Sequence, residues 1–202
     1  MKIICIGRNY GAHAKELGNA IPEKPVIFLK PQTALLKDNK PFFLPEWTKD
    51  MHYEAEVVLK ICKNGKYIDE KFASKYYQEI TLGIDFTARD LQQEQKQKGL
   101  PWEIAKAFDH SAVIGTFQPL PEINQQGINF SLFKNDVQVQ TGNTADMLFS
   151  FEAIIAYASQ FFSLQQGDLI FTGTPAGVGP VAIGDKLRGV LMNQEVFSFE
   201  IK

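Results

Sequence analysis

Short runs in which apolar and β-branched residues dominate recur along most of this chain, and they predict β-strands. Segments rich in glycine, proline, asparagine or aspartate separate them, as expected for turns. Because many of the runs lie close together in the sequence, we expect them to pair in antiparallel fashion. The predicted strands cover residues 2–6, 26–29, 54–61, 80–86, 128–133, 137–140, 168–172, 186–191 and 195–201.

Helical periodicity is less frequent than strand periodicity. The predicted helices cover residues 10–17, 69–77, 89–98 and 151–162, and the last has a continuous apolar stripe. Strands and helices do not alternate regularly, so a doubly wound parallel fold is not expected. No linker, low-complexity tract or repeat interrupts the chain. The pattern therefore predicts an α+β fold dominated by strands, in one domain of residues 1–202.

Composition narrows the class of protein. The chain has 202 residues, of which 45% are hydrophobic, enough for a sizeable core. Its formal net charge of −2 provides no basic field that would favour nucleic acid. Cys5 and Cys62 occur singly, which disfavours a zinc site and a disulfide scaffold. The apolar run at residues 1–7 is too short for a signal peptide or a membrane span. We therefore expect a cytoplasmic protein that binds neither nucleic acid nor membranes.

The spacing of Glu54 and Glu56 is the strongest chemical signal in the sequence. Side chains on a strand alternate between faces, so both glutamates and His52 are expected on one face. Neighbouring carboxylates repel each other unless a positive charge lies between them, and hard divalent cations prefer oxygen ligands. The alternative is a solvated sheet face, which is the more frequent explanation of an isolated Glu-x-Glu.

Asp85 and Lys106 place charges in apolar surroundings. Asp85 ends an apolar strand just before a predicted helix, where an unpartnered carboxylate would be costly to bury. Thr87 and Asp90 resemble a helix-capping pair, which would explain both residues structurally. Lys106 is flanked by apolar residues. It either extends its ammonium to solvent or provides a counter-charge to carboxylates or to an anionic substrate.

Two further motifs have a chemical and a structural explanation. His13 and Glu16 are three residues apart and share a face if they are helical, so they could transfer a proton near neutral pH. The alternative is an exposed surface pair of little energetic value. Residues 172–180 are rich in glycine but lack the features of a Walker or Rossmann loop. They form either a tight structural turn or a loop that binds a carboxylate.

Taken in order, these motifs resemble the fumarylacetoacetate hydrolase (FAH) family, in particular its short single-domain members related to acylpyruvases and oxaloacetate decarboxylases. One difference is Tyr53, where close relatives usually have histidine, and strand parity predicts that this side chain faces away from the metal. The resemblance implies a mixed β-sheet roll and a homodimer. The matching segments are residues 7–16, 28–31, 52–56, 85–92, 99–108 and 169–180.

The resemblance also implies the members of an active site. A site for Mg2+ or Mn2+ would be formed by Glu54, Glu56 and Asp85, with Lys106 beside it. His13 and Glu16 would form a catalytic dyad on a lid-like segment. The implied substrate contacts are Arg8, Gln92 and Thr174.

A small 2-oxo acid is the substrate class that such a site implies. Its carboxylate and keto oxygens could chelate the metal, and cleavage at C3 would leave an enolate that the metal and Lys106 stabilise. The leading prediction is a hydrolase of acylpyruvates, with water activated by the dyad, or an oxaloacetate decarboxylase. Proton movement without bond cleavage would instead give an isomerase or tautomerase, such as 2-hydroxyhepta-2,4-diene-1,7-dioate isomerase or oxaloacetate tautomerase. A non-catalytic metal- or metabolite-binding module is the alternative from another class.

Overall fold

Strands form most of the regular structure, which a computed structural model describes for residues 1–12, 20–120 and 126–202. The strands are β1 Ile3–Gly7, β2 Val26–Lys30, β3 Leu35–Leu36, β4 Met51–Tyr53, β5 Ala55–Ile61, β6 Tyr77–Asp85, β7 Thr87–Ala88, β8 Ala112–Ile114, β9 Gln118–Pro119, β10 Asn129–Lys134, β11 Val137–Asn143, β12 Leu169–Phe171, β13 Gly179–Pro180, β14 Lys186–Leu191 and β15 Gln194–Glu200. The α-helices of the described part are α1 Arg89–Lys98, α2 Glu103–Lys106 and α3 Phe151–Phe161.

The largest sheet is mixed and has the strand order β2-β1-β12-β5-β6-β8-β3, with β9 also paired to β6. Its β1–β12 and β3–β8 pairs are parallel, and the other pairs are antiparallel. A second sheet has the order β11-β10-β14-β15, and a short third sheet has the order β13-β4-β7. The prediction of a β-dominated α+β fold built on a mixed sheet is confirmed.

Two tight hairpins, β10–β11 and β14–β15, join the strands of the second sheet. The central residues of their turns are Asn135 with Asp136 and Met192 with Asn193, and all four have φ between 50° and 65°. Left-handed backbone at both central positions is the geometry of a type I′ turn, whose twist matches that of paired strands. Both hairpins have the antiparallel pairing expected of strands that lie close together in the sequence.

The central strand β5 is covered by apolar side chains on both faces. Val57 and Leu59 lie in the main core cluster, whereas Val58 lies in a smaller cluster on the opposite face. This two-residue alternation explains why β5 reads as an almost continuous apolar run. Strand β1, which β12 separates from β5, divides its side chains in the same way, with Ile4 and Ile6 in the main cluster and Ile3 and Cys5 in the smaller one.

The pairing of β5 with β6 has a regular register over most of its length. It runs from Ala55 opposite Ile84 to Lys60 opposite Glu79, and it shifts between Lys60 and Ile61. Within this register Glu56 lies opposite Gly83. A slip of one residue would turn every side chain of a strand to the other face, so the register determines which side chains of this pair share a face.

The helices agree with the sequence patterns in position more than in type. The predicted helices at residues 89–98 and 151–162 correspond to α1 and α3, but residues 69–77 contain a 3-10 helix, Glu70–Tyr76, preceded by a cap at Asp69. The predicted helix at residues 10–17 lies mostly outside the described residues. Within those that are described, no helix combines the length and apolar character needed to cross a bilayer.

The capping pair predicted at Thr87 and Asp90 is wrong. Helix α1 begins after Ala88 without a side-chain cap, and Thr87 lies in β7. Asp90 instead accepts hydrogen bonds from the Thr48 hydroxyl (2.7 Å) and from the N–H of Lys49 (2.9 Å). These contacts lower its pKa although burial opposes the shift. Asp90 therefore fastens the loop before β4 to the start of α1.

Candidate active site and metal centre

Three buried carboxylates converge at one end of the β5–β6 pair. Glu54 lies between β4 and β5, Glu56 lies on β5, and Asp85 is the last residue of β6. The N–H of Asp85 donates to the carbonyl oxygen of Glu54 at 2.8 Å, which holds the two strand ends together. One oxygen of each carboxylate lies within 4.8 Å of the corresponding oxygens of the other two. The strand register therefore gathers all three acids at one point.

This donor set fits a hard divalent cation. Oxygens bound to one ion at about 2.1–2.6 Å lie at most about 4.2–5.2 Å apart, so the observed spacing is compatible with a shared ion. Burial and the charges of Asp85 and Glu54 raise the pKa of Glu56 well above its ordinary value. A cation among the three carboxylates would offset that repulsion. With oxygen atoms alone as donors, Mg2+ and Mn2+ suit the site.

The ammonium group of Lys106 lies between two of these carboxylates. Its Nζ is 2.7 Å from Glu54 Oε2 and 2.7 Å from Asp85 Oδ2, and all three side chains are buried. Burial would lower the pKa of Lys106, but Asp85 and Glu54 outweigh it, so the pKa lies above its ordinary value. Lys106 is therefore a charged counter-ion inside the site, and the alternative of a solvent-directed lysine is wrong.

Lys30 is a second buried lysine of the cluster, and sequence reasoning gave it no role. It ends β2, and its Nζ lies 2.7 Å from Asp85 Oδ1 and donates to Ser111 Oγ at 2.9 Å. It also donates to the carbonyl oxygen of Lys106. The available signal was a lysine at the end of an apolar strand, directly before Pro31, inside the matching segment 28–31.

Helix α1 presents three polar side chains to the site. Arg89, Gln92 and Lys96 are separated by three and four residues, so they share one helix face. Arg89 donates to Gln92 Oε1 at 2.8 Å and to Glu54 Oε1 at 2.7 Å. Arg89 therefore links the metal-site carboxylate to the predicted substrate contact Gln92.

Fully ionised, the described charges of the cluster cancel without a metal. Three carboxylates face three cationic side chains, Arg89, Lys30 and Lys106, each of which forms an ion pair with at least one of them. Adding a divalent cation would leave two positive charges. That excess matches the enolate of a 2-oxo acid, which has one negative carboxylate and one negative enolate oxygen.

The glycine-rich loop after β12 binds a carboxylate, but it is one of the protein's own. The N–H of Gly173 donates to Glu56 Oε2 at 2.7 Å. Gly173 has φ of +101°, and an added Cβ would lie 2.6 Å from the Cβ of Asn9, so a larger residue does not fit. The next residue, Thr174, is buried and accepts a hydrogen bond from Gln140 Nε2 at 3.0 Å.

A single cavity collects the predicted site residues that the structure describes. They are Glu54, Glu56, Asp85, Lys106, Arg8, Gln92 and Thr174. Its remaining lining residues were not among the predicted site residues, and they are Ile6, Gly7, Phe28, Arg89, Lys96 and Trp102. His13 and Glu16 lie outside the described residues, so their role stays a prediction.

His52 does not join the carboxylates, contrary to the parity argument. Its Nε2 lies 2.8 Å from Asp50 Oδ1, and it is absent from the cavity lining. Burial and the charge of Arg89 lower its pKa. The reason is a break in the strand at Glu54, between β4 and β5, because parity holds only along continuous extended backbone. Tyr53 lies in the apolar core and not in the cavity.

The fold of this chain is shared with known proteins. Residues 2–202 match the family described as fumarylacetoacetate (FAA) hydrolase C-terminal, so the chain belongs to the FAH family. Named relatives are enzymes, and this chain is an enzyme of that family.

Two curated relatives are similar over nearly the whole chain. The oxaloacetate tautomerase YcgM of Escherichia coli is 42% identical over 188 residues, which cover 92% of this chain and 86% of that protein. The mitochondrial oxaloacetate tautomerase FAHD1 of Mus musculus is 38% identical over 201 residues, which cover 99% of this chain and 91% of that protein.

A similar crystal structure contains a metal ion. It is the fumarylpyruvate hydrolase of Pseudomonas aeruginosa in complex with Mn2+ and pyruvate. Its TM-score is 0.92 at 35% identity, covering 100% of this chain and 89% of that one. The similar proteins thus include both tautomerases and a hydrolase.

Proposed function

We propose that this enzyme forms enolates of small 2-oxo acids with the help of Mg2+ or Mn2+. We propose keto–enol tautomerisation of oxaloacetate as its main activity. The observation that carries the proposal is the single cavity in which the carboxylate triad, Lys106 and the Arg89–Gln92 pair meet. The leading sequence prediction was hydrolysis or decarboxylation, but the motifs themselves do not distinguish these reactions from tautomerisation, because all three pass through an enolate. The two tautomerases, similar over nearly the whole chain, favour tautomerisation.

In this reaction a proton leaves C3 of oxaloacetate, negative charge develops on the oxygen at C2, and that oxygen then takes up a proton. A divalent ion held by Glu54, Glu56 and Asp85 would supply Lewis-acid stabilisation of this charge. The buried ammonium of Lys106 adds positive charge beside the same carboxylates. His13 and Glu16 are assigned the proton transfer from C3, on sequence reasoning alone.

Gln92 and Thr174 are assigned to orienting the substrate. Thr174 Oγ accepts a hydrogen bond from Gln140, so its hydroxyl hydrogen can donate to a substrate oxygen. Arg89 holds the amide oxygen of Gln92, which directs the amide N–H groups of that residue elsewhere in the cavity. Together they provide donors for a substrate carboxylate.

Hydrolysis of an acylpyruvate is the second candidate. It would release a pyruvate enolate, stabilised in the same way as the enolate of oxaloacetate, after water attacks the distal carbonyl, with Glu16 and His13 activating the water. The similarity to the Pseudomonas aeruginosa fumarylpyruvate hydrolase favours it. Decarboxylation of oxaloacetate leads to that enolate without water, so it belongs to the same test.

The deciding experiment compares three reactions of the purified enzyme with Mg2+ and with Mn2+. Loss of enol absorbance reports tautomerisation of oxaloacetate, pyruvate formation reports its decarboxylation, and loss of acetylpyruvate and fumarylpyruvate reports hydrolysis. We expect tautomerisation to be fastest. Excess EDTA should abolish activity while the far-UV circular dichroism persists, because the apolar core is large enough to stabilise the fold by itself. The proposal would be contradicted if the enzyme neither tautomerised nor decarboxylated oxaloacetate and hydrolysed neither acetylpyruvate nor fumarylpyruvate. Full activity in EDTA would also contradict it.

Metal binding can be tested without turnover. Glu56→Gln should remove most of the heat of Mn2+ binding in isothermal titration calorimetry, because it deletes a charged ligand from the triad. Glu79→Gln is the matched control, since Glu79 is a half-exposed partner of Lys60 outside the cavity. Equal Mn2+ affinity of the two variants would refute the assignment of Glu56.

We also propose a homodimer, following the family resemblance. Light scattering coupled to size exclusion should then give twice the chain mass of 22.7 kDa. A mass of one chain across the micromolar range would contradict this proposal.

A further inference from the structure

Two cations of the cavity take no part in the neutral cluster described above. Arg8 and Lys96 both line the cavity with the carboxylate triad. Among residues 1–12, 20–120 and 126–202, no carboxylate oxygen lies within 4.0 Å of a side-chain nitrogen of either residue, the distance that defines an ion pair. Arg89, a third cation of the lining, is already engaged by Glu54. The cavity therefore contains two further positive charges without a described acidic partner.

The environment of Lys96 shows how close these charges are. Burial lowers its pKa to about 8, assisted by the positive charges of Arg8 at the end of β1, Arg89 on the same helix and Lys106 on α2. Glu54 is the group that opposes the shift. The Nζ of Lys96 also lies 5.7 Å from the ring centroid of Trp102. An ammonium held in this position, against like charges, is complementary to an anion.

The backbone of Arg8 supports the same conclusion. Arg8 directly follows β1 and has φ of 60°, in the left-handed region that non-glycine residues rarely adopt. Such a conformation costs on the order of 1–3 kcal/mol, and outside tight turns such strain clusters at functional sites. It lies in the same cavity lining as Lys96, so the strained segment delivers a second guanidinium to the region of excess positive charge.

The position of the two cations relative to the triad defines a direction in the cavity. The carboxylates of Glu54, Glu56 and Asp85 are buried, whereas Arg8 and Lys96 are half-buried. A substrate whose reacting end lies at the triad would extend its other end towards these cations. That other end must be negatively charged to use them.

We propose that Lys96, together with Arg8, forms a subsite for the distal carboxylate of the substrate and makes the enzyme selective for dicarboxylic 2-oxo acids over monocarboxylic ones. This inference rests on the proposed function, because it takes the 2-oxo acid head group to lie at the triad. It names the substrate class more narrowly, and it assigns a role to Lys96, which no sequence motif had suggested.

The test uses pairs of 2-oxo acids that differ only in the distal carboxylate. The four-carbon pair is oxaloacetate and 2-oxobutanoate, and the five-carbon pair is 2-oxoglutarate and 2-oxopentanoate. Dissociation constants are measured by calorimetry or by tryptophan fluorescence, with the enzyme saturated in Mn2+ at pH 7. The quantity compared is the preference, defined as the Kd of the monocarboxylate divided by that of the dicarboxylate in each pair.

We expect the wild type to prefer the dicarboxylate in at least one pair. Lys96→Gln should reduce that preference by about 10- to 100-fold, the range expected when a hydrogen bond to a charged group is lost. Lys96→Arg should retain most of it. Lys98→Gln is the matched control on the same helix turn, because Lys98 is exposed and paired with Glu94, and it should leave the preference unchanged.

Each other outcome overturns the subsite. An absent preference in the wild type, or an unchanged preference in Lys96→Gln, shows that Lys96 does not bind the distal carboxylate. If Lys96→Gln fails to fold, Lys96→Arg decides, since loss of the preference in that folded, charged variant contradicts the assignment. Failure of the proposed function is a separate result, because it is measured by turnover and the subsite by binding. An enzyme that turns over no 2-oxo acid refutes the proposed function, whatever its binding preference.

Discussion

Replacing Lys106 by methionine tests the buried charge network directly. Methionine has similar length but no charge, so Lys106→Met leaves Glu54 and Asp85 without an ammonium that lies 2.7 Å from each in the wild type. Removing one partner of a buried ion pair typically costs about 3–5 kcal/mol, because the remaining charge stays buried. Because Arg89 still pairs with Glu54 and Lys30 with Asp85, we expect the metal-free variant to lose about 3 kcal/mol of unfolding free energy, the lower end of that range.

The assay is urea unfolding followed by circular dichroism, with EDTA and with saturating Mn2+. Because the variant's carboxylates have lost a counter-ion, Mn2+ should stabilise Lys106→Met by more than it stabilises the wild type. Lys98→Met is the control. It breaks an exposed pair with Glu94, whose two side chains are 60% and 51% accessible, and should cost less than about 1 kcal/mol. If metal-free Lys106→Met is as stable as the wild type, the ammonium is not paired with these carboxylates in solution.

Three further predictions concern the loop, the subsite and the dyad. Gly173→Ala should destabilise the protein by about 1–3 kcal/mol more than Gly167→Ala in urea unfolding. Both glycines have positive φ, but an added Cβ meets a neighbouring residue only at Gly173. Equal losses of stability in the two variants would refute the contact argument. Lys96, with a pKa of about 8, is charged below that pH and neutral above it. The KM for oxaloacetate should therefore rise as the pH passes 8, and Lys96→Arg should remove this rise; a flat wild-type profile would contradict it. Glu16→Ala should slow acetylpyruvate hydrolysis by on the order of 100-fold while Mn2+ affinity persists, and a wild-type rate would exclude Glu16 as the general base.

The sequence predicts the sheet well because strand signals are local. β5 and β6 were recognisable from apolar runs, and the strands of both hairpins from runs that lie close together in the sequence. Helix type was less predictable: residues 70–76 satisfy an amphipathic helical pattern, but the backbone adopts the tighter 3-10 form. The capping pair failed because Asp90 has stronger partners in a loop some 40 residues earlier, which local pattern cannot reveal.

The residues of the candidate site could be predicted where the signal lies within one short segment of the sequence, and not where the fold brings distant segments together. Glu54 and Glu56 were found from their spacing, although the strand break at Glu54 is invisible to a parity argument and excludes His52. Lys30 was missed because a lysine that ends an apolar strand has the same local pattern whether its ammonium reaches solvent or a carboxylate. Lys96 was missed because its surroundings come from β1, α1 and α2, which only the fold brings together.

The register of the β5–β6 pair has a consequence for how this chain can change in length. Its irregularity lies between Lys60 and Ile61, at the end remote from the carboxylates, while the pairing from Ala55 to Lys60 is regular. Inserting or deleting one residue in that regular stretch would rotate Glu56 or Asp85 out of the cavity, whereas a change of length in the connection at residues 62–76 leaves that register intact. Viable length variants of this enzyme are therefore expected at the far end of the pair and not beside the triad.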